Sequence, residues 1–491
     1  MNARFLCSSV LCAALFAACS EDAVQTPPSP SLDVDAASPG ENDSGATDAG
    51  YDGPSDASPA DASSDSGIAV LEEGELEPGG ATTTSNVDIG AFNMAAANLA
   101  LARRGGFEAG LQFFQLPWVV APGRPEADGL GPTFNSDSCL GCHVRNGRGN
   151  VASVLLRIGL GPNSDALPNY GKQFQPFGIS GVPGEGTPVR AETAVTHAKA
   201  DGTSVSLTAV SYSIANPAFG PLGEDLRISP RIAPQIVGQG LLEAIPEADL
   251  LALADPDDQN GDGISGRAHW VQDGETQRIG RFGWKALQPT VEAQTAGAFS
   301  EDLGITSSRF PETNCPGTQT ACAAAQNGGS PELGATRLAV TVEYMRLLGV
   351  PKRRGGDSED VLKGKALFSL VGCTSCHKPS FVTRPDASEP ELSSQRIWPY
   401  SDLLLHDMGE RLADNKKEGD AGEREWRTPP LWSLGLVKTV NGTLHLLHDG
   451  RAPSIDEAIL WHDGEAQGAR NAYERLSAAD QALLHAFVES L

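Results

Sequence analysis

Two short segments carry the same chemistry. Cys139-Leu140-Gly141-Cys142-His143 and Cys373-Thr374-Ser375-Cys376-His377 both read C-x-x-C-H, the signal for covalent haem attachment. Two thiols at that spacing can form thioethers to the haem vinyls. The His that follows, one helical turn on, then lies under the iron as its proximal ligand. A thioredoxin-like redox pair gains nothing from a His directly after the second Cys. A zinc site built from both pairs would have to join segments 231 residues apart. Two covalently bound haem c groups are therefore expected, held by Cys139, Cys142 and His143 and by Cys373, Cys376 and His377.

The other cysteines fit an exported protein. Of nine Cys, Cys7 and Cys12 lie in an apolar leader, Phe5 to Ala18, behind the single base Arg4. The leader is too short to span a membrane and reads as a secretory signal. Cys19 follows Phe16-Ala17-Ala18, which resembles a lipoprotein cleavage box with Phe16 in place of the usual Leu. Cys19 would then carry the lipid; the other reading is an ordinary signal peptide cut nearby. Cys315 and Cys322 remain, and an exported pair so closely spaced is most simply a disulfide.

Charge divides the chain. The net charge is −27, from 63 acids and 36 bases. No Lys or Arg occurs from Phe5 to Ala102, and Glu21 to Asp88 holds 16 acids; without that segment and Arg4, 47 acids face 35 bases. Such a balance argues against nucleic-acid binding, because phosphates require Lys and Arg. Residues 20–87 are rich in Asp, Ser, Pro, Ala and Gly and read as a disordered acidic tether, too poor in apolar side chains to offset ordering entropy. No apolar run reaches the roughly 18 residues of a spanning helix, so the membrane is met only through the lipid anchor.

The elements that must position the two motifs lie between 88 and 491. A helix is expected over Met94 to Arg104. Phe134 and Phe368 each precede the first Cys of a motif by five residues, and Gly364 to Phe368 reads as the amphipathic first helix of a small cytochrome domain. Gly131 to Asn135 takes the same place in the first unit. Val151 to Ile158 and Val205 to Tyr212 have strand-like composition. Pro331 to Leu348 and Ala478 to Leu491 are expected as helices, the second started by Ser477 with Asp480 three residues on. The fold class is thus mainly α. It comprises two cytochrome-c-like haem domains, 88–350 and 351–491, with a β-rich insertion at about 151–225 in the first.

Four further stretches carry a resemblance. They are Leu130-Gly131-Pro132-Thr133-Phe134-Asn135, Ile279-Gly280-Arg281-Phe282-Gly283-Trp284-Lys285-Ala286, Pro399 to Gly409, and Trp426-Arg427-Thr428-Pro429-Pro430-Leu431-Trp432. With the two haem motifs, in order, they resemble the di-haem oxidoreductase family of exported bacterial proteins. That family is in turn similar to bacterial di-haem cytochrome c peroxidases. In those relatives one haem receives electrons from a small donor, such as a cytochrome or cupredoxin, and the other binds hydrogen peroxide.

The more distant likeness implies roles for single residues. The relatives draw the sixth ligand of the C-terminal haem from a helix after a His-x-Gly motif. Here His448-Asp449-Gly450 is followed, fourteen residues after His448, by His462, where the relatives have Met or Tyr. This implies bis-histidine ligation by His377 and His462 and a lower potential than His/Met. His448, His406 and Met408 are rivals, His448 being better suited to hydrogen bonding near the haem edge. The relatives also place a Trp between the haems, a Gln ten residues on, and then an acid. Trp284 and Gln294 match that spacing, and Glu301 or Asp302 would supply the acid. Gln and a carboxylate can order peroxide and shuttle its proton. For the first haem, His269 is the candidate sixth ligand.

One more loop could hold a metal. Asp258, Asn260 and Asp262, with the carbonyl of Ile264, match the first half of a calcium loop, although His269 stands where the bidentate Glu is usual. An Asx-rich turn without metal is the other reading. The expected function is an exported, periplasmic di-haem oxidoreductase that reduces hydrogen peroxide. A non-catalytic electron carrier and an oxidase of a thiol or protein partner are the alternatives.

Overall fold

The structure, a computed structural model, describes residues 67–124, 126–164 and 166–491. The leader, Cys19 and the tether up to residue 66 lie outside them. In chain order, helix α1 (Arg104–Gln115) precedes the first haem motif. Four strands follow: β1 (Leu155–Leu160), β2 (Thr187–Ala198), β3 (Ser204–Ala215) and β4 (Leu226–Arg231). Helices α2 (Val291–Leu303), α3 (Ala335–Arg346) and α4 (Glu359–Leu370) lead to the second motif. Short strands β5 (Leu405–Asp407) and β6 (Glu425–Arg427) come next, then helices α5 (Ile455–Trp461), α6 (Gln467–Glu474) and α7 (Ala478–Ser490).

Both motifs are served by the same device, a helix pair crossing at a glycine. On α1, Phe107, Gly110 and Phe114 form one buried stripe. The stripe lies on α3, with the Phe107 and Phe114 rings 4.8 and 5.5 Å from Tyr344. A Cβ at Gly110 would come within 2.2 Å of the Val340 carbonyl oxygen, so only glycine permits this approach. On α4, Gly364 does the same against α7, where a Cβ would lie 2.0 Å from the Leu483 carbonyl oxygen. Ser358 caps α4 by accepting from the Val361 N–H, and Ser477 caps α7 as its sequence implies. Phe368 of α4 packs 5.2 Å from Phe487 of α7. One aromatic from each pair reaches the proximal histidine: Phe114 is 6.3 Å from His143, and Phe368 is 6.1 Å from His377.

This corrects two expectations. The helix expected at Met94 to Arg104 runs instead from Arg104 to Gln115, preceded by single 3-10 turns at Ala91–Asn93 and Leu101–Arg103. The counterpart of Phe368 is therefore Phe114 and not Phe134. Phe134 lies in a two-residue strand paired with Phe177.

The folded body also begins earlier than residue 88. Glu75 is fully buried, and its carboxylate meets Arg353, Lys365 at 2.7 Å and the Tyr400 hydroxyl at 2.8 Å. Burial opposes its charge, but the Lys365 hydrogen bond and the Arg353 charge outweigh that and hold it below the usual carboxylate range. Thr84 exchanges backbone hydrogen bonds with Val350 and Lys352. The stretch from about 70 to 87 is thus part of the folded body and not of a tether.

β1 pairs antiparallel with β4, and β2 with β3 in an unbroken twelve-residue register from Thr187↔Ala215 to Ala198↔Ser204. The strand expected from Val151 starts only at Leu155, after a 3-10 turn capped by Asn150. The described residues, 67–491, form one compact unit. Its largest apolar core draws on Trp118 to Val350 and also on Phe381, Ile397, Leu403, Leu404 and Trp432, so it crosses residue 350.

Candidate haem sites and the bridge between them

Each motif forms one tight turn. The His143 N–H donates to the Cys139 carbonyl and the His377 N–H to the Cys373 carbonyl, both at 2.9 Å. The four thiols are free. Burial pushes Cys139, Cys142 and Cys373 up to about 12 and raises Cys376 as well. Each proximal imidazole is oriented by a backbone carbonyl, which can only accept. His143 Nδ1–H donates to Pro234 and His377 Nδ1–H to Tyr400, both at 2.9 Å. Nε2 is left with its lone pair, the form a metal takes. Burial pushes both imidazoles down to about 4, so each is neutral at pH 7.

Both motifs open into one cavity of about 830 Å³. His462 lines it too, as the residue that ends α5, with Nδ1–H donating to the Ala458 carbonyl at 2.7 Å. His377 and His462 thus face the same cavity. The rival His406 is engaged at both nitrogens, with Asp402 at 2.9 Å and Glu465 at 2.6 Å. Burial opposes its charge, but those carboxylates and Cys376 hold it well above its ordinary value, and a cationic imidazole has no lone pair to give. The donors fit a haem at each motif: two free thiols, one neutral imidazole with Nε2 unspent and, at the second, another imidazole lining the same cavity.

An aromatic chain links the two ends of the cavity. Trp284 Nε1–H donates to the Ile232 carbonyl at 2.8 Å, two residues before Pro234, the partner of His143. The Trp284 ring meets His448 edge to face at 6.5 Å, and His448 stacks on Trp426 at 3.7 Å and 12°. Trp426 is the cross-strand partner of His406, whose Nδ1 is 3.5 Å from Cys376 Sγ. Cations flank this chain. Arg148 lies 5.3 Å over Trp284, and Arg231 and Lys285 lie 4.8 and 4.7 Å over Trp426. Lys285 is fully buried, bonded to Asp414 at 2.9 Å and to the carbonyls of Lys416 and Gly422; burial brings it down to about 8. The sequence pointed to Trp284 alone. The His448–Trp426 stack joins strands and loops that no local pattern connects.

Helix α2 supplies the polar residues on the first haem's side. Thr290 caps it by accepting from the Ala293 N–H at 3.0 Å, and Gly304 ends it at φ +68°. Gln294 and Asp302 both line the cavity. The Asp302 carboxylate is half-buried and accepts from Gln173 Nε2 at 2.7 Å, and desolvation pushes it up to about 7. Its backbone carbonyl accepts from Asn135 and Ser136, just before Cys139. Glu301, by contrast, is half-exposed and ion-paired with Arg157. Both acids line the cavity, but Asp302 is the less exposed and the one held by Gln173. Gln173, its partner, comes from the inserted region, and sequence reasoning missed it.

Other expected ligands are placed elsewhere. His269 is buried outside the cavity lining, and both its nitrogens are used: Nδ1–H donates to the Lys285 carbonyl at 2.6 Å, and Nε2 accepts from the Asp420 N–H at 3.1 Å. With no lone pair left it cannot be the first haem's sixth ligand, and that expectation is corrected. In the 255–266 loop, Asp258 accepts from the Gly263 N–H, Asn260 Oδ1 from the Asp262 N–H and Asp262 Oδ1 from the Ile264 N–H, a series of Asx turns. Cys315 and Cys322 are joined as a disulfide.

Comparison with curated proteins gives no match. A family match, to "di-haem oxidoreductase, putative peroxidase", covers residues 75–161 and 211–491. It begins at the buried Glu75 and breaks across 162–210, which holds β2, the whole hairpin loop and the first part of β3. With both haem motifs and the bridge residues inside the matched segments, the chain belongs to the di-haem oxidoreductase family.

Proposed function

We propose that this protein is an exported di-haem c-type oxidoreductase that reduces hydrogen peroxide with electrons from a small donor, such as a cytochrome or cupredoxin. The observation that carries the reading is the single cavity into which both motifs, Trp284, His448, Trp426 and Asp302 all open. In the overall reaction, peroxide takes two electrons and two protons to give two waters. When bound, the haems supply the electron storage and the breaking of the O–O bond.

The chain's own residues do the rest. Cys139, Cys142, Cys373 and Cys376 tether the two groups, and the carbonyls of Pro234 and Tyr400 aim the proximal imidazoles at them. His462, which lines the same cavity as His377, would give the haem at the second motif its other imidazole. The rings of Trp426 and His448, stacked, and of Trp284, edge to face with His448, put aromatic groups in place of empty space along the cavity. Gln294 orients peroxide, and Asp302 takes a proton from one oxygen and returns it to the other, work that suits a carboxyl poised near neutral pH. Export and the Cys19 lipid belong to the same proposal and rest on the leader sequence.

The test is a donor-dependent turnover assay on the matured protein, read beside its ferric absorption spectrum. Peroxide-dependent oxidation of the donor with one reactive high-spin haem supports the reading. Two low-spin haems that ignore peroxide would mark an electron carrier, and oxidation of a thiol or protein partner without peroxide turnover would mark the other alternative.

A further inference from the structure

The β2–β3 hairpin has a puzzling exposure pattern. Of its 24 strand residues only His197 and Leu207 are fully buried. A lone two-stranded ribbon is marginally stable in water, so something outside it must hold it. Both buried residues lie at its far end, against the helices that flank His462. His197 Nε2 bonds Glu474 of α6 at 2.6 Å, and the Ala200 N–H donates to the other oxygen of Glu474 at 2.5 Å. The Thr208 N–H donates to Glu457 of α5. Leu207 joins the apolar cluster that contains Trp461 and Tyr473.

The contact continues to His462. Glu474 lies 3.6 Å from Arg470 Nε, one helical turn back on α6. Arg470 Nη1 donates to the His462 carbonyl at 2.6 Å and to Asp463 at 3.1 Å. His462 is where α5 ends, in extended backbone at φ −58° and ψ 134°. Helix geometry no longer fixes the peptide after it; Arg470 does. Glu474 and Arg470 are themselves buried, at 2% and 6% exposure, so Glu474 depends on His197 and the Ala200 N–H for its hydrogen bonds and on Arg470 for an opposite charge.

We propose that the hairpin is a strap over the second haem site, and that His197, Glu474 and Arg470 are positioning residues that keep His462 on its target. This deepens the reading of His462 as sixth ligand and rests on it. Groups one step behind a metal ligand commonly change its hold by about 10- to 100-fold when removed. The strap places that support on a segment the family match leaves out.

The experiment uses the full-length, haem-loaded protein and cyanide as probe. Cyanide can reach the C-terminal ferric haem only while His462 is away, so its binding rate there reports how firmly His462 is held. His197→Ala removes the strap's side-chain bond to Glu474 without altering α6, and Glu474→Gln weakens both links. Each should speed cyanide binding at the C-terminal haem about tenfold or more, the double variant should be no faster than Glu474→Gln, and the N-terminal haem should be unaffected. Unchanged C-terminal rates, or equal acceleration at both haems as general loosening would give, would overturn the strap. His462→Ala separates the two readings. If that haem stays low-spin, the ligand assignment itself falls; if it turns high-spin while His197→Ala has no effect, the strap alone falls.

Discussion

Asp302 is the residue on which the proposed chemistry turns. Burial holds its carboxyl neutral up to about pH 7. To take a proton from peroxide it must first be ionised, so turnover should rise as pH climbs through about 7. Asp302→Asn should lose that dependence and lower kcat/KM by about 10²-fold, with both haem spectra unchanged. Glu301→Gln, at an exposed ion pair, should do neither; a pH–rate profile of the three proteins decides. His269 makes the opposite case. His269→Ala should leave both haem spectra intact but lower stability by about 1–3 kcal/mol, because the Lys285 carbonyl and Asp420 N–H lose their partner; thermal unfolding of the matured protein checks it. The candidate haem residues stand out in the sequence because covalent attachment would require Cys and His at one spacing. His269 could not, since distance along the chain to Trp284 does not say which ring nitrogens are already spent.

At the scale of elements, the informative cases are those where tertiary contacts overrode local signals. Gly105 and Gly106 look like helix breakers, yet α1 runs through them because Phe107 and Phe114 bury against α3. Strands β1 and β3 and helices α3, α4 and α7 were legible from composition and periodicity, α7 also through its Ser477 cap, whereas β4, the partner of β1, was not. Glu75 was hidden for a different reason. In composition it is one more acid in an acidic stretch, and nothing local marks it as the partner of Arg353 and Lys365, 278 and 290 residues away. Removing one partner of a buried ion pair costs about 3–5 kcal/mol, so Glu75→Ala should markedly lower the unfolding temperature. A chain starting at residue 67 should unfold like the full-length protein, whereas one starting at 88 should be strongly destabilised. Calorimetry on the two truncations tests where the folded body begins.

At the scale of the whole molecule, the arrangement joins two sites that the sequence shows only as two motifs 231 residues apart. What it could not show is the path between them, because His448 and Trp426 meet only in the fold. If that path carries electrons, Trp426→Leu should slow transfer between the haems without changing either haem's ligands, a difference that rapid-mixing absorption can resolve. The central claim is that the two haems act as one two-electron unit. Its most direct test is to reduce the matured protein fully without oxygen, mix it with one equivalent of hydrogen peroxide, and follow both haems at once. The account predicts that both become ferric in a single rapid phase with the peroxide consumed. Oxidation of one haem alone, or of neither, would contradict it.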